Sequence, residues 1–98
     1  MGPTPGYSHW NYRIIEEKNG DLSIHEVYYD DNGVPTDWTS EGVAPYGETM
    51  QELNTNFNMM QDAFYENVLK WVETDGEAPK LEERLTSKRI EVDNESAD

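Results

Sequence analysis

The 98-residue chain has no cysteine, which excludes disulfides, thiolate zinc sites, redox pairs and thiol nucleophiles. Basic residues are scarce as well. Seven Lys and Arg stand against 21 Asp and Glu, giving a formal net charge of −14. Binding nucleic acid through its phosphates needs clustered cations, and four of the seven fall late in the chain, at Lys80, Arg84, Lys88 and Arg89. Direct nucleic-acid binding is therefore not expected. Long apolar runs are also missing: nothing approaches the roughly 20 residues of a membrane span. The opening Met1-Gly2-Pro3-Thr4-Pro5-Gly6-Tyr7-Ser8-His9 has neither the basic region nor the apolar core of an export signal. No membrane partner is expected, and the expected location is cytoplasmic.

Chemistry-bearing motifs are equally sparse. Only two histidines occur, and His25-Glu26 lacks the second histidine of HExxH, because Tyr29 stands in its place. Neighbours on a strand point to opposite faces, so His25 and Glu26 cannot share a ligand. His25 reads as a structural or surface residue. Asp30-Asp31-Asn32-Gly33 lacks the carboxylate spacing and closing glutamate of a calcium loop and reads as a turn. No GxGxxG or GxxxxGK[ST] loop is present. Catalytic residues, cofactors and metals are therefore not expected, and an enzyme is the least supported class.

What is present is patterned. Tyr12, Ile14 and Ile15 precede Asn19-Gly20, and Leu22-Ser23-Ile24-His25-Glu26-Val27-Tyr28-Tyr29 follows. Two β-rich runs around Asn-Gly predict a hairpin with a type I′ turn. After Asp30-Asp31-Asn32-Gly33 a weaker run through Trp38 predicts a third strand, held to an edge by Pro35. The expected buried side of this meander comprises Tyr12, Ile14, Leu22, Ile24 and Tyr28.

Thr49-Met50-Gln51-Glu52 fits a capping box. Met50, Leu53, Phe57, Met60, Phe64, Val68 or Leu69, and Trp71 then recur at spacings of three and four, one helical stripe. The predicted fold class is α+β: a three-stranded antiparallel β-meander packed against one long C-terminal α-helix. A helix from Met50 to Val72 would measure about 34 Å, longer than strands of about 23 Å. Either it breaks near Tyr65 to Asn67, or its far end projects. In the second case Phe64, Val68, Leu69, Trp71 and Val72 would form a homodimer contact or partner site. Tyr29, Trp38 and Tyr46 are further partner candidates, since exposed aromatic side chains commonly dominate binding. Residues 1–10 are expected to be a flexible leader, 11–72 the single domain, and 73–98 an acidic, largely disordered tail. Lys80 to Arg89 could form a short helix, and Arg89 to Val92 could add a strand on a partner.

Asn11-Tyr12-Arg13-Ile14-Ile15, Ile24-His25-Glu26-Val27-Tyr28-Tyr29-Asp30, Trp38-Thr39 and Gly47-Glu48-Thr49-Met50-Gln51-Glu52-Leu53 resemble a group of small bacterial and phage proteins, some cyanobacterial, over about Asn11 to Leu69. The order of strands, loop and capped helix is distantly similar to the HicB-type antitoxin domain, a partial RNase H-like fold. That resemblance implies a non-catalytic module that binds and neutralises a basic toxin, while the acidity itself points to a basic protein surface such as a nuclease's nucleic-acid groove; the module is expected to be a homodimer. A phage or mobile-element inhibitor that mimics nucleic-acid charge is the alternative.

Overall fold

The computed structural model describes residues 9–84. The order is β1 (His9–Glu16), β2 (Leu22–Tyr29), β3 (Pro35–Trp38), α1 (Met50–Gln61), a 3-10 turn (Asp62–Tyr65), β4 (Leu69–Val72) and β5 (Lys80–Glu83). The fold is mixed α+β. Among the described residues a single sheet has five strands in the order β3-β2-β1-β4-β5, with β1 and β4 parallel and the other pairs antiparallel.

The hairpin forms where Asn-Gly places it, though not with a type I′ turn, which needs positive φ at both central residues. Only Gly20 has it, at 94°. Gly20 N–H donates to Glu17 O at 2.8 Å, and Asn19 Oδ1 accepts from Asp21 N–H at 2.9 Å. The loop is thus a β-turn followed by a left-handed glycine. Asp30 to Gly33 repeats the device: Gly33 has φ 80°, its N–H donates to Asp30 O at 2.9 Å, and Asp30 Oδ1 accepts from Asn32 and Val34. β3 lies at the sheet edge, as Pro35 requires, and a register shift interrupts its pairing at Tyr28 and Tyr29.

Alternation along β1 gives the sheet two apolar faces. Tyr12 and Ile14 meet Met60, Ala63 and Val68 on the helix side, with Ile24 and Val43 packed beside them. Ile15, Val27, Tyr29 and Leu69 form a second core on the other face with Trp38, Trp71 and Leu81. No helix covers that face among the described residues. The sheet instead curls until β3 approaches β5, and the Trp38 and Trp71 rings meet edge to face at 5.6 Å. Of the expected buried side, Tyr12 and Ile14 are buried, Ile24 and Tyr28 are half-buried, and Leu22 is exposed.

The single long helix requires correction. α1 ends at Gln61, the chain tightens into the 3-10 turn, and Glu66 turns extended at φ −103°, ψ 160°. Leu69–Val72 is a strand, not a helical end, because Leu69 pairs with Ile15 and Trp71 with Leu81. The α-helix thus tightens to 3-10 from Asp62, and the chain leaves helical conformation at Glu66, within the Tyr65 to Asn67 window. β5 then places Lys80–Glu83 in the sheet where a short helix was expected, and paired strands run past both domain boundaries set at 11 and 72. Residues 1–8 of the leader and the proposed strand Arg89 to Val92 lie outside the described residues.

The start of α1 is fixed locally. Thr49 Oγ1 accepts from Glu52 N–H at 3.0 Å, while Glu52 Oε1 reaches one residue further back than the usual box and accepts from Glu48 N–H at 3.0 Å. Gly47 lies so close that an added Cβ would stand 2.2 Å from Leu53 N. Gly47→Ala is therefore expected to displace the first helical turn and cost about 1–3 kcal/mol. Faster amide exchange at residues 52–56 together with a lower urea midpoint would register it, and unchanged exchange there would refute the packing.

Candidate functional site

The strongest polar network lies inside the curled sheet and reads as structural. His25 is fully buried, and its Nδ1 donates to Thr39 O at 2.8 Å, since a carbonyl oxygen only accepts. Its Nε2 lies 2.9 Å from Glu17 Oε2, and the Trp71 ring stands edge-on at 6.4 Å. The hydrogen bond to His25, reinforced by one to Ser23, holds the Glu17 carboxyl below its ordinary value of 4.5. A depressed carboxyl contributes stability above its unfolded pKa and loses it as pH falls through the folded value. Urea midpoints are accordingly expected to decline below about pH 4.5, with the decline shallower in Glu17→Gln. Equal slopes in the two proteins would remove this link. Elsewhere, the Tyr28 hydroxyl donates to Glu26, and that bond together with burial pushes its pKa up to about 12.

The expected partner residues do not form one patch. Tyr29 is buried, stacked on His9 at 4.5 Å; its hydroxyl donates to Asn11 and accepts from Arg13. Trp38 and Trp71 lean on each other within the curl, and Val72 is half-buried. Val68 and Leu69 belong to the two cores. Only Phe64 and Tyr46 of the set are exposed. The apolar run from Phe64 to Val72 is thus mostly consumed by the chain's own sheet.

A different surface emerges around α1. Its stripe was expected to lie across the meander, yet only Met60 is buried, at 3% exposure. Leu53 is 37% exposed, Phe57 47% and Met50 83%. Beside them lies a cleft of about 670 Å³ between the sheet and the 3-10 turn, lined by Ile14, Leu22, Ile24, Val43, Phe64 and Val68, with Ser23 and Glu66 as its polar members. A smaller hollow of about 340 Å³ is formed by Pro45, Met50, Leu53, Asn54 and Phe57. The connector after β3 joins the two, since Val43 and Ala44 line the first and Pro45 the second. Sequence reading named Phe64 and Val68 here and missed the rest; the stripe marked the helix face as apolar without showing that it has no cover.

Charge is distributed unevenly around this groove. From Asn19 to Leu69 the chain contains no Lys or Arg, while acids continue through Asp21, Glu41, Glu48, Glu52, Asp62 and Glu66. Among the described residues the groove lining accordingly carries no cation. Most described cations are occupied elsewhere: Arg13 donates to Asn67 O at 2.7 Å, Lys18 pairs with Glu73, Arg84 with Glu16 and Lys80 with Glu82. Among the described residues, no group of three or more His, Asp or Glu is placed to hold a metal ion, and no helix is long and apolar enough to cross a membrane. No protein-family model matches the chain, and no curated protein or solved structure matches it either.

Proposed function

We propose that the protein is a non-catalytic interaction module, of the antitoxin-like kind, that binds a basic protein through the groove around α1. The observation that carries this reading is the coincidence of exposed apolar side chains, Met50, Leu53, Phe57 and Phe64, with a 19–69 segment devoid of Lys and Arg. Binding surfaces centred on apolar side chains with charge at the rim are the usual form of protein interfaces. Nucleic-acid mimicry would instead place carboxylates along the middle of the face, where here Leu53 and Phe57 stand. A second copy of the chain would bring carboxylates against carboxylates, so a partner of opposite charge is the better fit.

The test compares two variants of equal net charge against a labelled 18-residue oligolysine. Glu48→Gln/Glu52→Gln/Glu66→Gln neutralises the groove rim and keeps the capping geometry, because glutamine serves at that position. Asp75→Asn/Glu77→Gln/Glu82→Gln neutralises carboxylates near β5. The groove variant is expected to lose several-fold more affinity than the other in fluorescence anisotropy at low salt. Equal loss in both would mean that no localised basic-partner site exists.

A further inference from the structure

Resting on that reading, the geometry points to an amphipathic α-helix as the occupant of the groove, with an apolar stripe seated between α1 and the connector and Lys or Arg along its flanks. Met50, Leu53 and Phe57 follow one another at spacings of three and four, so they form a single ridge about 10 Å long, two turns of helix. A facing helix presents anchors at i, i+3 or i+4 and i+7 over the same length, and ridge-into-groove packing brings two such helices to 8–10 Å.

An added strand fits less well. The groove is walled by side chains, and at Val43 the connector's backbone N–H already donates to Ile24 O at 2.8 Å. Among the described residues the ladder edges lie at β3 and β5, and no residue of either strand lines the groove. The charge pattern sets the composition of the flanks. Glu48 and Glu52 stand at one end of the ridge, and Glu66 lines the cleft beyond the other. Among the described residues the Glu66 carboxylate has no ion pair or hydrogen bond. A helix with cations beside its apolar stripe would meet carboxylates at both ends and apolar side chains between them.

The experiment uses the full chain and three labelled 18-residue peptides in anisotropy at 300 mM NaCl. One carries Leu at helical spacing among Lys, one has the same composition with Leu and Lys alternating, and the third is oligolysine. The helical peptide is expected to bind at least tenfold more tightly than the alternating one. Leu53→Asp/Phe57→Asp is expected to abolish that preference while leaving oligolysine binding equal or stronger, since it adds negative charge. Leu53→Ser/Phe57→Ser, with an unchanged urea midpoint, covers the case in which the charged variant misfolds. Equal affinity for the helical and alternating peptides would overturn the helix while keeping a basic partner. If none of the three binds even at low salt, the basic-partner reading itself fails. A wild-type dimer in sedimentation that becomes monomeric in the serine variant would assign the groove to a second copy and overturn the proposal.

Discussion

Met60→Ala is expected to destabilise the protein by about 2–5 kcal/mol, whereas Phe57→Ala, one turn earlier on the same stripe, is expected to cost less than about 1 kcal/mol. Met60 is 3% exposed and packs on Tyr12, Ile14, Ala63 and Val68, so truncation leaves a cavity that its neighbours fill only partly. Phe57 is nearly half exposed and belongs to neither core cluster. Domains of this size hold only about 5–15 kcal/mol of stability, so the first substitution removes a large share. Urea unfolding measures both. A cost for Phe57→Ala equal to that for Met60→Ala would mean that the stripe docks on the sheet along its whole length.

His25→Leu is expected to cost about 1–3 kcal/mol, because it removes the hydrogen bonds from a fully buried ring to two part-buried acceptors. Leucine roughly maintains the volume, so the loss isolates the hydrogen bonds to Thr39 O and Glu17. Both partners stand on loop segments, Glu17 just after β1 and Thr39 just after β3, so the ring ties together two places that the sheet alone would leave loose. Two signatures follow. Trp71, whose ring faces His25 and Trp38, is expected to shift its emission, and the acid decline attributed to Glu17 is expected to flatten. An exposed pair such as Lys18 and Glu73 gives the contrast: Lys18→Ala is expected to change stability by less than about 1 kcal/mol. If His25→Leu were as mild, the network would have no structural weight.

Local chemistry explains which parts of this fold the sequence disclosed. Asn19-Gly20 and Asn32-Gly33 mark turns because only glycine takes the left-handed conformation without strain, and Thr49 marks a helix start because its hydroxyl reaches Glu52 N–H three residues on. The end of α1 was not legible in the same way. Val68, Leu69, Trp71 and Val72 fit a helical stripe and a short buried strand equally, and the choice falls to pairing with Ile15, 54 residues earlier. The outer strand β5 illustrates the same limit: Lys80–Glu83 is too short and charged to be read as a strand, yet Leu81 packs against the second core.

The candidate site was legible only in part. Phe64 and Tyr46 were singled out and are exposed, while Tyr29, Val68 and Leu69 were singled out and are buried, because aromatic and aliphatic character marks cores and interfaces alike. Leu53 and Phe57 carried the signal of a buried stripe, since spacing reports that a face is apolar and says nothing of what covers it. His25 reads from the sequence as a structural or surface residue and is buried, but its partners, 8 and 14 residues away, are brought to it only by the pairing of β2 with both neighbouring strands.

The outward position of Leu53 and Phe57 is open to a direct measurement: solvent relaxation enhancement of side-chain protons by a soluble gadolinium chelate in dilute, free protein. The Met50 methyl, the Leu53 methyls and the Phe57 ring protons are expected to relax strongly, with Met60, Ile15 and Val68 shielded. Leu53 and Phe57 protected to the same degree as Met60 would contradict the groove, and with it the proposed binding function.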